Sequence, residues 1–476
     1  MDRWKSFFVL LLAAPPVGLH AQPPGMSLQL IGEALATASA TPQKVVVDAG
    51  GKPYYYLAAK TAGLQVYDIQ DIAHPQLAAT VPVSQLNGLE VMNAVQRGNL
   101  LYLAVGNFFG NDGQNPGLAI LDVSSPASPA VKDVWMWPMK DKGSASVALS
   151  GDYAYLCAMT QGVLILNVAD PSAIQFISQI VPDPNFPVPN PPAVHIPNAR
   201  GMAVRDDVAY LCYDAGGLRV INVADKLHPV ETGRYANAVM GDKPIAFNNV
   251  ALDGDLAFVA ADYCGMEVLN ISDTSHITQT SWWNPWNCQS PTNIWVGSPG
   301  HTNQIDLDTA GRLAFLSSAQ SELSILDISD PALPKQAGNY GATNDQLGTW
   351  GMTLDSNRVF LAYITSVIPF ASTWAGVKIL EWEKTTGIGE TACPFPANMY
   401  PNPFWEWVNV EFSLERKSEL QIQIFDLQGN QVENMARGVF EAGKHSLAAG
   451  ISLPAGMYLL RINTPEGAIS RKLVKF

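Results

Sequence analysis

Tyr102-Leu103, then a loop, then GLAILDVSSP (117–126) sets the pattern for most of this chain. The phrase is a strand ending in an aromatic and a leucine, an alternating apolar strand, and an Asp-Pro or Asp-rich turn. It recurs at Tyr56-Leu57 before GLQVYDIQD (63–71), Tyr155-Leu156 before GVLILNVADP (162–171), and Tyr210-Leu211 before GLRVINVAD (217–225). It recurs again at Phe258-Val259 before GMEVLNISD (265–273), Phe315-Leu316 before ELSILDISDP (322–331), and Phe360-Leu361 before GVKILEWEK (376–384). The aromatic positions run from 56 to 360, a mean period of about 51 residues. Each copy has an upstream alternating strand, such as Met202-Ala203-Val204, and a downstream one, such as Gln76 to Val81. Period two throughout excludes a helical solenoid. Four strands per repeat at this period make a β-propeller blade.

The seventh copy supplies three strands and then runs out. Ser27-Leu28-Gln29-Leu30-Ile31 has the pattern of the missing outer strand. Pairing it with the last blade closes the ring and removes both sheet edges. The expected fold is all-β: a seven-bladed propeller over residues 22–384, closed by an N-terminal strand. The phrases LQVYDI, LAILDV, LILNV, LRVIN, MEVLNI and LSILDI resemble the LVIVD-repeat family of propellers. That resemblance implies the fold and an exported protein; it implies no shared activity.

Composition agrees with a globular, turn-rich chain. Of 476 residues 47% are apolar and 15% charged, and glycine and proline are frequent. Net charge is −14, which argues against nucleic acid or an anionic membrane as partner. At the N-terminus, Arg3 and Lys5 precede the apolar run Phe7 to Ala14, with a small residue at Ala21. Residues 1–21 are expected to be a signal peptide, because that run is too short to span a bilayer. No later stretch reaches the length of a span, so no transmembrane segment is expected in the mature chain.

From Tyr400-Pro401-Asn402-Pro403-Phe404 onward, Val408, Val410, Phe412 and Leu414 alternate, then Leu420, Ile422 and Ile424. Short period-two strands in so few residues indicate a small β-sandwich. The YPNPF opening, the FDLQGN turn (425–430), LPAGMYLLRI (453–462) and the basic KLVKF end (472–476) resemble the type A C-terminal sorting domain of the type IX secretion system. The resemblance implies a delivery tag at 399–476 that engages the type IX machinery. Passage through the periplasm to the medium or the outer-membrane surface follows, with residues 385–398 as linker. Residues 399–476 balance eight acids with eight bases, whereas 22–398 hold 33 acids and 18 bases. The propeller therefore carries the negative field.

Candidate sites follow from the repeat frame. His74, His228 and His276 each trail a repeat Asp by three residues (Asp71, Asp225, Asp273) and read as turn residues. His195 and His301 fall outside the frame, before inner strands, on the face where propellers hold ligands. Two insertions enlarge that face. Val181 to Arg200 is extended by seven prolines, and Ser281 to Thr302 carries Trp282, Trp283, Trp286 and Trp295. Trp350 and Trp374 lie on connections reaching the same face. Cys264 and Cys288 are expected to form a disulfide that staples the second loop. Cys157 and Cys212 read as small buried residues, and Cys393 completes the five.

No HExxH, GxSxG, P-loop or EF-hand pattern occurs. Asp214 and Asp262, at similar loop positions, and Arg200 could form a paired-carboxylate site for a lyase or glycosidase. A solvated acidic rim is the alternative. Asn248, Asn249, Asn303 and Asp306 offer oxygens for calcium at a spacing that matches no known loop. No cofactor and no metal is expected. The leading expectation is a binding module for a glycan or protein, using His195, the Trp282–Trp295 loop, His301 and Trp350. The rival is a polysaccharide-active enzyme using Asp214, Asp262 and Arg200. A third class is a structural envelope component.

Overall fold

The computed structural model describes residues 26–36, 41–47, 51–109, 113–192, 195–241, 243, 245–343, 345–384, 397–414, 416–426, 430–464 and 467–476. The expected signal peptide, nearly all of the expected linker with Cys393, and the tip of the FDLQGN turn lie outside these residues. The chain divides into two units, Met1–Lys384 and Thr385–Phe476. Among the described residues no helix is long and apolar enough to cross a membrane.

Among the described residues the first unit contains seven four-stranded antiparallel sheets. In chain order of their inner strands, these begin at Thr41, Val91, Ser146, Gly201, Asn249, Gln304 and Thr349, and are called sheets one to seven below. Each inner strand packs beside the inner strand of the next sheet, and the seventh packs beside the first, so the ring closes. Sheet seven is composite. Met26–Leu35 is its outer strand and pairs antiparallel with Gly376–Lys384, Met26 facing Lys384 and Leu35 facing Gly376. The propeller and its N-terminal closure follow the sequence pattern.

The repeat aromatics explain why the sheets stack. Tyr56, Tyr102, Tyr155, Phe258, Phe315 and Phe360 are fully buried, and Tyr210 nearly so. They lie on second strands whose side chains fill the clefts between neighbouring sheets. Burying a ring of this size contributes about 2–3 kcal/mol each. The turn Asp of many repeats accepts backbone N–H groups two residues on, as Asp71 does from Ala73 and Asp273 from Ser275. His74, His228 and His276 are exposed and bond Asp71, Asp225 and Asp273 at 2.9–3.1 Å, as turn residues.

The second unit is a two-sheet sandwich. Ala397–Tyr400, Trp407–Leu414 and Gly443–Gly450 form one sheet; Gln431–Phe440, Ser418–Phe425, Gly456–Thr464 and Gly467–Lys475 form the other. Val408, Val410 and Phe412 from the first meet Leu420, Ile422, Ile424 and Leu460 from the second.

Candidate functional site

Four residues beyond each repeat aromatic, the chain turns at one end of its sheet. Lys60, Met159, Asp214, Asp262 and Ala319 occupy this place with φ between 33° and 50°. Each bridges a residue entering the next sheet: Val91, Ala199, Phe247, Thr302 and Thr349. Aspartate adopts such left-handed backbone more readily than most side chains. Three residues further, a glycine is required. A Cβ on Gly63, Gly162, Gly217 or Gly265 would lie 2.1–2.2 Å from a carbonyl oxygen at the end of its own outer strand. In sheet six this place is held by Glu322, at φ 53°.

The turns of sheets three, four and five meet at a cavity of about 400 Å³. Asp214, Asp262, Arg200, His195 and Trp295, all singled out by sequence, line it together, with Lys142, Asn198, Asn248, Tyr263 and Phe108. Asn198 Nδ2 donates to Asp214 Oδ2 at 3.0 Å. Burial holds the Asp214 carboxyl above its ordinary range; Asp262 adds to the push, and Arg200, Asn198 and Lys142 oppose it. Asp262 is held more fully. Its Oδ1 lies 2.5 Å from His301 Nδ1, and its Oδ2 accepts from Trp295 Nε1 at 3.2 Å and Asn248 Nδ2 at 3.3 Å. Trp295 remains 42% exposed. Arg200 lies against two rings, its guanidinium 4.9 Å from the Phe108 centroid and 5.5 Å from that of Trp350. Trp350 lines a small polar pocket that adjoins the cavity at Phe108, Arg200 and Asn248.

Other expected site residues lie elsewhere. His301 is fully buried between Trp295 and Phe370 rather than on the ligand face, because it serves the Asp262 carboxylate. Trp282 turns inward: its Nε1 donates to the Cys264 carbonyl at 2.8 Å and its ring packs on the core between sheets four and five. Trp283 and Trp286 pack edge to face, 5.9 Å apart, and line a separate groove beside sheet six. Trp374 packs edge-on against Tyr363.

Each insertion is held down by a basic side chain, Arg219 for the first and Lys243 for the second. Arg219 is fully buried. Its Nη2 donates to the carbonyls of Asp183 and Phe186 at 3.0 Å, its Nε to that of Gly216 at 2.8 Å, and its Nη1 to Glu231 at 3.0 Å. This ties the proline-rich loop down over a second cavity of about 300 Å³, walled by Phe186, Pro187, Pro191, Met240 and Ile245. The two cavities share His195 and Ala215. The tryptophan-rich loop is stapled by the Cys264–Cys288 disulfide, 24 residues apart in sequence. Lys243 Nζ donates to its carbonyls at Cys288, Ser290 and Asn293. Cys157 and Cys212 are free and buried.

Sequence reading passed over Phe108, Lys142, Asn198 and Tyr263. Phe108 sits in an insertion of sheet two (NFFGNDG, 107–113), which its length beside the other copies could have flagged. Asn248, Asn249 and Asn303 line the small polar pocket, whereas the Asp306 carboxylate accepts from the Leu307 N–H at 2.9 Å. Among the described residues no group of three or more His, Cys, Asp and Glu is arranged to hold a metal ion.

Comparison with known proteins agrees with this architecture. Residues 97–136, 142–180, 198–237, 247–281 and 305–342 match the model of the LVIVD repeat. Residues 398–475 match the model described as a secretion system C-terminal sorting domain. The chain thus carries five LVIVD repeats within its propeller. It ends in a type IX C-terminal sorting domain, which implies a secreted or cell-surface protein that meets the secretion machinery. No curated protein matches it significantly. The crystal structure of RRP9 WD40 repeats aligns with a TM-score of 0.52 at 10% identity, over 75% of this chain and 97% of that one. The Cps50 (Swd1) β-propeller domain of Myceliophteria thermophila aligns at 0.49 and 9% identity, over 75% and 99%. At such identities the likeness is one of fold alone.

Proposed function

We propose that this protein is an exported binding module that engages a glycan or a protein group at the cavity between sheets three, four and five. In this reading residues 1–21 direct export to the periplasm, residues 399–476 hand the chain to the type IX machinery, and 385–398 tether it to the propeller of 22–384. The observation that carries the reading is the meeting of an exposed indole, two carboxylates, an arginine and a histidine in one concave site. Rings offer flat apolar faces, while fixed acceptors and donors orient a polyhydroxyl ligand. The pinned loops favour binding because little order must be gained.

One observation favours the rival reading of a polysaccharide-active enzyme. Asp214 and Asp262 share the cavity, and burial biases Asp214 toward the protonated form a general acid needs. A glycan and polysaccharide screen on the mature chain, with product analysis of every hit, separates the two. Binding that is lost in Trp295→Ala and Asp214→Asn, with no product, supports the binding module. Product formation that is lost in Asp214→Asn replaces it with the enzyme. No binding in the screen, with no protein captured on the cell surface, overturns both.

A further inference from the structure

Arg200 is the cavity's least explained group. Its backbone is fixed, the N–H donating to the Cys212 carbonyl at 3.0 Å and the carbonyl accepting from Ser146 Oγ at 2.7 Å. Its guanidinium lies against the Phe108 and Trp350 rings. Yet among the described residues it makes no side-chain hydrogen bond and no ion pair. Arg205, Arg219 and Arg312, by contrast, all spend their N–H groups on protein acceptors. Asp214 influences Arg200 electrostatically, but its Oδ2 is taken by Asn198. Cation–π contact with rings uses none of a guanidinium's N–H groups, and its planar edge matches a carboxylate in two parallel hydrogen bonds. A second cation, Lys142, lines the same cavity, likewise without a protein partner among the described residues.

From this geometry we infer that the cavity takes an acidic sugar residue, a uronate, with Arg200 and Lys142 receiving its carboxylate. This inference rests on the glycan reading above. The cavity wall also carries acceptors: the Asp214 and Asp262 carboxylates, and the side-chain oxygens of Asn198 and Asn248, which are buried and have no partner. Such a wall asks for hydroxyl donors on the atoms beside the carboxylate, and Trp295 supplies a flat face for the ring. A calcium ion is a poorer fit, because Arg200 and Lys142 repel it. A densely charged polyanion is also disfavoured by the propeller's 33 acids against 18 bases.

The test is titration calorimetry of the mature chain with methyl β-D-glucuronide against methyl β-D-glucoside, and the matching galacturonide and galactoside, with L-glutamate as a non-sugar carboxylate. The expected result is a uronide bound at least about tenfold more tightly than its neutral partner. That preference disappears in Arg200→Met and falls several-fold in Lys142→Met, a change on an exposed side chain that leaves the fold intact. Equal binding within each pair overturns this inference and leaves sugar binding standing. Preference for L-glutamate overturns the sugar assignment, and binding of none of the five overturns the uronate itself. In the last case the glycan screen decides separately whether the binding reading survives.

Discussion

Nδ1 of His301 lies 2.5 Å from Oδ1 of Asp262, with both side chains buried behind the indole of Trp295. The pair divides labour at the cavity wall. Asp262 lines the cavity, and His301 holds it from behind. Three donors from three positions fix this carboxylate, so it cannot swing to meet different ligands.

His301→Phe keeps an aromatic ring against Phe370 but strips one carboxylate oxygen of its donor. Leaving a buried acceptor unmatched costs about 1–3 kcal/mol. Urea unfolding should show that loss. Ligand binding should weaken along with it, because Asp262 is no longer held. Unchanged stability would mean that water replaces the imidazole.

The Cys264–Cys288 bridge closes a loop with a separation of 24 residues. In the chain-entropy account a loop of that size is worth roughly 3 kcal/mol. Cys288→Ala, or reduction, should lower stability by about that amount. The loop itself should stay seated, since Lys243 still holds the carbonyls of residues 288, 290 and 293. Protease accessibility of residues 284–300, compared in Cys288→Ala and in Cys288→Ala/Lys243→Met, checks the division. Only the double variant should be cut quickly.

Arg219→Ala removes the group that joins the proline-rich loop to sheet four. Three carbonyls and the half-buried Glu231 carboxylate would lose their donor, and a buried cation would leave its pocket. Breaking a fully buried pair from one side costs about 3–5 kcal/mol, and the partial exposure of Glu231 puts this loss at or below about 3 kcal/mol. Arg219→Lys should recover only part, since an ammonium cannot span the same fork. Limited proteolysis between residues 182 and 192 should be fast in the alanine variant, intermediate in the lysine variant and slow in the parent.

The repeat phrase made the propeller legible because its period, alternation and glycine all answer to backbone geometry. The same register also encodes the site. Asp214 and Asp262 stand four residues beyond Tyr210 and Phe258, the turn position that reaches the cavity. What the sequence hides is direction. Trp282, Trp283 and Trp286 share a loop with Trp295, yet only Trp295 lines the central cavity. Strand alternation turns Trp282 onto the core between sheets four and five and Trp283 onto that between sheets five and six, and the stapled loop then keeps Trp286 beside Trp283 and brings Trp295 to the cavity. His301 looked like a surface group because no local pattern announces that a carboxylate 39 residues earlier will draw it in.

Glu322 breaks the glycine rule of the repeat and should give the fold a pH dependence. It sits buried at φ 53°, where four other repeats have glycine, and Gly341 leaves room for its side chain. Its carboxylate accepts from the Tyr363 hydroxyl and from Lys378 Nζ at 3.3 Å. Burial pushes its pKa up to about 7, with Asp345 adding to the rise and Lys378 opposing it. The ordinary value is 4.5, so the folded state holds this proton more tightly than the unfolded chain. The stability that follows is therefore complete below pH 4.5 and is lost as pH rises through about 7. The full span is worth roughly 3 kcal/mol. Other carboxylates titrate in the same range, so the informative quantity is the difference between the parent and Glu322→Gln. That difference should shift by up to this amount between pH 4 and pH 8, the parent losing ground as the solution becomes alkaline. A pH-independent difference would mean that Lys378 keeps Glu322 ionised throughout, and that the buried pair is held together by charge.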